Sequence, residues 1–153
     1  MGSRFNRAGT WWHVGAVFCF AVLFNFLWER AQSRLFVGFD DWSGTWWHCF
    51  IASLGDGALV LAIYAVGWIV FKQRDWFEHP GNAGYGLMLI TGMLIGVGVE
   101  WFALHVAGLW AYAATMPLVP GLTVGLVPVL QMLLLPPAIF RVVAIWTKHS
   151  HVA

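Results

Sequence analysis

Long apolar runs alternate with short polar breaks along the whole chain. The apolar runs cover residues of about 11–31, 48–71, 85–105 and 122–146. A helix needs about twenty apolar residues to cross a hydrocarbon core, so each run predicts one crossing. The first break, residues 32–46, is a polar connection containing Asp40, Asp41, Trp42, Ser43 and Gly44. Its Trp42 and Trp46, with Trp47, suit an interfacial aromatic belt. The second break, residues 72–82, is the most charged stretch and predicts a loop. The third is punctuated by Pro117, Pro120 and Gly121, and Pro128, Pro136 and Pro137 fall inside the last run. Those prolines predict kinks, or a re-entrant start before a shorter crossing.

Composition agrees with this pattern. Hydrophobic residues make up 60% of the chain and charged residues 10%, against about a quarter charged in a soluble domain. The expected fold is therefore an all-α integral membrane protein: a four-transmembrane-helix bundle, one transmembrane domain over residues 1–153, with a proline-broken segment before the last helix. No basic run suggests a nucleic-acid partner. Cys19 and Cys49 lie in apolar runs and read as small core residues, offering neither a disulfide framework nor a CxxC pair. Arg4 and Arg7 ahead of an apolar stretch superficially suggest a signal peptide. No small-x-small cleavage site follows, so a retained helix is expected.

Flanking charge orients the bundle. Arg4, Arg7, Lys72, Arg74, Arg141 and Lys148 fall on one side, and Arg30 and Arg34, beside two aspartates, on the other. The positive-inside bias then places both termini in the cytoplasm, for which a bacterial inner membrane is the expected setting. Under that topology Glu29 lies near the outer end of the first span. Asp56 lies about eight residues into the second, roughly 12 Å at 1.5 Å per residue. Glu100 is in the outer part of the third with His105 beyond it, and Gln131 is near mid-depth in the fourth. Acids in such runs are costly and usually face a protein interior or a wet cavity. The expected cluster joins Asn25, Glu29, His48, Asp56, Glu100, His105 and Gln131. Gly92 and Gly96 form a GxxxG step, suited either to packing within the bundle or to a partner.

Each candidate has a plainer reading. Glu29 is close enough to Arg30 and Arg34 to be an interfacial charge. Asp56 and Glu100 could each lock helices by hydrogen bonding, and His48 and His105 could sit among headgroups. The set His48, Asp56, Glu100 and His105 could supply metal ligands, but no marked spacing such as HExxH accompanies it. No metal and no cofactor are expected.

Chemistry enters with the aromatics. The chain has 11 Trp, 12 Phe and 3 Tyr, and Phe26, Trp28, Trp101, Phe102, Trp110 and Tyr112 crowd the sequence around Glu29 and Glu100. Aromatic faces stabilise a desolvated cation by roughly 0.5–2 kcal/mol each, and burial favours the protonated form of a carboxyl. A protonated acid in an aromatic, apolar pocket is equipped to protonate an alkene and shelter the resulting cation. The expected catalytic groups are Glu29, Asp56 and Glu100, and the expected pocket adds Asn25, Trp28, His48, Trp101, His105, Trp110, Tyr112 and Gln131. The expected partner is a membrane lipid or isoprenoid.

Asn25-x-x-Trp28-Glu29 resembles the Asn-x-x-Trp-Glu motif of the small membrane-bound terpene cyclases of fungal meroterpenoid and indole-diterpenoid pathways. That resemblance implies proton chemistry at Glu29, with Asp56 in Leu54-Gly55-Asp56-Gly57 echoing an acid of a following helix; it covers only the first part of those longer proteins. Glu100-Trp101-x6-Gly108-x-Trp110-x-Tyr112-x3-Met116-Pro117-x-Val119-Pro120 is similar in cadence to membrane-bound carotenoid hydratases and lycopene cyclases. Gln131 stands where the latter have part of a glutamate pair. Over nearly its whole length the chain looks most like small four-span bacterial membrane proteins to which no activity is attached. The leading expectation is an intramembrane acid/base enzyme that cyclises, hydrates or isomerises an isoprenoid or similar lipid. The competing expectations are a non-catalytic membrane subunit contacting a larger complex, a pigment or a quinone, and a proton or ion pathway; a membrane-protein partner or a homo-oligomer is the expected assembly.

Overall fold

A computed structural model describes residues 7–39 and 44–150 of the chain. Arg4 and the loop residues Asp40, Asp41, Trp42 and Ser43, used above for orientation and for the aromatic belt, lie outside the described residues. Four helices carry the fold: α1 (Arg7–Gln32), α2 (Trp46–Phe71), α3 (Gly81–Phe102) and α4 (Leu126–Ser150). All four are long and apolar enough to cross a membrane, and the protein is an all-α four-helix bundle. Two isolated β-bridges are the only extended pairing among the described residues.

The boundaries differ from the sequence expectation in informative ways. α1 runs through Gln32 into a 3-10 turn, Ser33–Leu35, so Gln32 belongs to the helix and not to the connection. α3 starts at Gly81, directly after Pro80, whose fixed φ suits a helix start. α4 starts at Leu126, later than expected. Ahead of it the chain folds into a small hairpin, with Val119 N donating to Val124 O (2.8 Å) and Leu126 N to Pro117 O (2.7 Å). No re-entrant segment precedes α4 among the described residues. Pro128 sits in the first turn, where backbone N–H groups have no helical acceptor anyway.

Pro136 and Pro137 lie inside α4, which continues through them. Pro136 has no N–H, so the Met132 carbonyl lacks its normal helical donor. That carbonyl faces Gly92 of α3: a Cβ built at Gly92 would stand 2.2 Å from Met132 O. Gly96, one turn on, meets Met132 Cβ and Val129 in the same way. The GxxxG step is thus occupied by α4 within the bundle. On the other side, Gly57 of α2 admits Phe18 and Val22 of α1. α1 packs extensively on α2 and α4, and α3 on α4, whereas α2 and α3 meet only thinly.

The two ends of the bundle are built differently. At the proximal end, where α2 gives way to α3, the turn Trp76–Glu78 plugs the bundle. Trp76 and Phe77 pack with Val17, Ile63, Tyr64 and Phe140 in a solid core. The Trp76 indole occupies the space over Gly67, where a Cβ would come within 2.1 Å of it, and its Nε1 donates to Tyr64 O (3.1 Å). At the distal end, where α1 and α3 finish, the two following loops pair. Phe36 and Tyr112 form an antiparallel bridge, with Val37 N donating to Ala111 O and Ala113 N to Leu35 O (both 2.9 Å). α3 reaches this lid through a π-helical turn, Ala103–Ala107, closed by Gly108 at φ +59°.

Candidate functional site

Beneath the lid lies a cavity of about 670 Å³, walled by α1, α2, α3 and α4 and roofed by Phe36, Phe39 and Trp110. Glu29, Asp56 and Glu100 all border it, with Gln32, His48, Cys49 and Gln131. The rest of the wall is largely aliphatic or glycine.

Behind this wall a directed chain of amides joins α1, α4 and α2. It starts at the Trp28 indole, which can only donate, and its Nε1 bonds Gln32 Oε1 (3.1 Å). That fixes Gln32 Nε2 as the donor to Glu29 Oε1 (2.7 Å) and to Gln131 Oε1 (3.0 Å). Gln131 Nε2 then donates to Asn25 Oδ1 (2.8 Å) and to Asp56 Oδ2 (2.9 Å). Asn25 Nδ2 ends the chain on the Ala21 carbonyl (2.8 Å). A fixed donor at one end and a fixed acceptor at the other leave no freedom to flip any of the three amides. Glu29 Oε1 and Asp56 Oδ2 are thereby committed as acceptors. The two carboxyl groups are thus tied to one another through Gln32 and Gln131.

The third acid stands across the cavity. Glu100 is 7% exposed, and its Oε2 accepts from Tyr112 Oη, which in turn accepts from Gly125 N (2.7 Å). Burial and then the Glu100 carboxyl hold the Tyr112 phenol above its ordinary ionisation range. Trp110 borders the same corner. Its Nε1 is buried without a hydrogen-bond partner.

The structure therefore brings Asn25, Glu29, Asp56, Glu100, Tyr112 and Gln131 to one region, with Trp28 behind it and His48 and Trp110 on its wall. It does not bring Trp101 and His105 there. Glu100 continues the inward face of Gly92 and Gly96, so its neighbour Trp101 points about 100° away and is 51% exposed. His105 stacks on Trp101 on that outer face, with its Nδ1 3.0 Å from Trp101 O. The metal-ligand quartet that included His105 is accordingly not assembled, and no group of three or more His, Cys, Asp or Glu suited to a metal occurs among the described residues. Sequence reasoning missed Gln32, although its spacing of three from Glu29 and seven from Asn25 puts all three on one helical face. It also missed the lid aromatics Phe36 and Phe39, which only the pairing of two distant loops brings over the site.

No family model, no curated protein and no solved structure matches the chain.

Proposed function

We propose that the protein is an intramembrane acid/base enzyme acting on an isoprenoid or similar lipid by protonation, located in a bacterial inner membrane with its termini cytoplasmic. The observation that carries this reading is a pair of carboxyl groups, Glu29 and Asp56, joined through Gln32 and Gln131 in the wall of a largely apolar cavity. A proton delivered by Asp56 or Glu29 adds to one carbon of a double bond, whose π electrons form the new C–H bond and leave a cation on the other carbon. The aromatic faces of the lid suit such a cation. Loss of a neighbouring proton to the Glu100 carboxylate regenerates a double bond, with or without ring closure. Attack by water followed by proton loss gives the hydrated product instead. His48 and Gln131 orient the water or the acid. Tyr112 holds Glu100 in place.

The test replaces Glu29→Gln, Asp56→Asn and Glu100→Gln singly and follows turnover in membrane lipid extracts by mass spectrometry. Loss of at least about a hundredfold is expected for a removed general acid or base. Wild-type product formation by all three variants refutes the assignment.

A further inference from the structure

We infer that the cavity takes an uncharged single-chain lipid with an oxygen acceptor at its leading end, and that phosphorylated chains are rejected. The inference rests on the acid/base reading for the location of the chemistry, and three independent features of the cavity support it.

The first is charge. Glu29, Asp56 and Glu100 border the cavity and no Lys or Arg does. Arg30 lies behind the lining residue Cys49, its Nη1 bonded to Thr45 Oγ1 (2.9 Å). Phosphate recognition uses arginine, lysine, backbone N–H clusters or a bridging cation. Glu29 Oε1 and Asp56 Oδ2 already accept from amides and Glu100 Oε2 from Tyr112, and no group of three or more His, Cys, Asp or Glu suited to a bridging cation occurs among the described residues. An anionic headgroup would meet three acids and no lining Lys or Arg among the described residues.

The second is an unfilled donor. Trp110 Nε1 is buried without a hydrogen bond of normal geometry, close to the Glu100 carboxyl and the Tyr112 hydroxyl, whereas the amides across the cavity are bonded to one another and to Glu29 and Asp56. A buried N–H without an acceptor is unfavourable, and a neutral carbonyl, ether, epoxide or hydroxyl oxygen supplies one. A pure hydrocarbon does not.

The third is the shape of the opening. Ile51 and Gly55 of α2 and Val99 of α3 line the cavity and are exposed, and a Cβ at Gly55 would meet open space. The cavity thus opens sideways where α2 and α3 meet only thinly, within the membrane-crossing part of both helices. A tail leaves through that gap into the acyl chains while the head lies under the lid. A volume of about 670 Å³ is that of a single small-molecule site, too small for a two-chain glycerolipid.

The experiment measures competition with tritiated farnesol on the purified protein in nanodiscs. Farnesol is expected to bind saturably. Farnesyl monophosphate, with or without Mg²⁺, and the hydrocarbon farnesane should each compete at least about tenfold less well. Trp110→Phe, which deletes the N–H and keeps the ring plane, should narrow the preference for farnesol over farnesane. Gly55→Trp has open space within 4 Å of its new Cβ, so it should keep the wild-type melting temperature while weakening farnesol binding at least about tenfold. Absence of saturable farnesol binding overturns the inference. So does a phosphate ester that binds as well as the alcohol, a preference unchanged in Trp110→Phe, or full binding in Gly55→Trp. The two readings fail separately. Selective farnesol binding with turnover indifferent to the three acids removes the enzyme and leaves the inference. Acid-dependent turnover with preferred binding of the phosphate ester does the reverse.

Discussion

Replacing Gln131 by leucine should cost far more than its nearly equal volume suggests. The side chain is 2% exposed and makes three hydrogen bonds, to Asn25, Asp56 and Gln32, at 2.8, 2.9 and 3.0 Å. Side-chain hydrogen bonds between membrane helices average about 0.6 kcal/mol and reach about 1.7, so three together come to about 2–5 kcal/mol. The upper half of that range applies if the deserted groups cannot re-pair, since a stranded buried polar group carries its own desolvation penalty of about 1–3 kcal/mol. Water from the cavity can reach Asp56 but not Asn25, which is fully buried on the far side of the amide. Unfolding by sodium dodecyl sulfate in mixed micelles measures the loss. A double-mutant cycle with Asp56→Leu isolates the bond across α2 and α4, with an expected coupling of about 0.5–2 kcal/mol. Trp28→Phe is the comparison: it breaks one bond of the chain, so its stability cost should stay near 0.6 kcal/mol. A Gln131→Leu protein within about 0.5 kcal/mol of wild type, with no coupling to Asp56, refutes the directed amide chain.

Other substitutions test the packing that frames the site. Gly92→Ala should destabilise by about 1–3 kcal/mol, because the new methyl meets the backbone carbonyl of Met132, which cannot rotate away. Gly98→Ala, on the same helix with open space around it, should be neutral or slightly stabilising in the same denaturation assay. Gly67→Ala should cost at least as much as Gly92→Ala, since it strikes the buried Trp76 indole; a change in Trp fluorescence should accompany it. Tyr112 yields a pH prediction. Its raised ionisation favours the neutral phenol in the folded protein, so the stabilisation it provides is complete below about pH 10, the unfolded value, and is lost as pH rises through the higher folded one. The tyrosinate absorbance of wild type minus Tyr112→Phe should therefore emerge only above about pH 10, and emergence below it contradicts the buried bond to Glu100.

Much of the fold was readable because the signal is coarse. Four apolar runs have no other solution than four helices, and an acid inside such a run must turn toward protein or water. Asn25, Glu29, Asp56, Glu100 and Gln131 could therefore be gathered before any coordinates. Rotation about each helix axis was not readable where aromatic residues crowd both faces. Trp101 and His105 follow Glu100 in sequence yet sit together on the outer surface, since one residue along a helix turns a side chain by about 100°. Gln32 was lost to a boundary error of one residue, which moved it from a helix face into a presumed loop. The lid depends on two loops far apart in sequence, and no local pattern in either announces its partner.

The glycines explain why a cavity exists in so small a bundle. Helix pairs approach closely where side chains are absent, and Gly57 draws α1 to α2 while Gly92 and Gly96 draw α3 to α4. Nothing comparable joins α2 to α3, where Gly55 and Gly98 have no neighbour within 4 Å of a built Cβ. The same residue type thus closes two interfaces and leaves the third slack. The proximal half of that third interface is filled by the Trp76–Glu78 turn, which packs against α2 and α4. The distal half has no such plug, only a roof. A void bordered by acids on opposite walls follows from that uneven distribution of glycine and tryptophan. Filling it from the α2 side, as Gly55→Trp does, should change what the protein binds without changing how it folds.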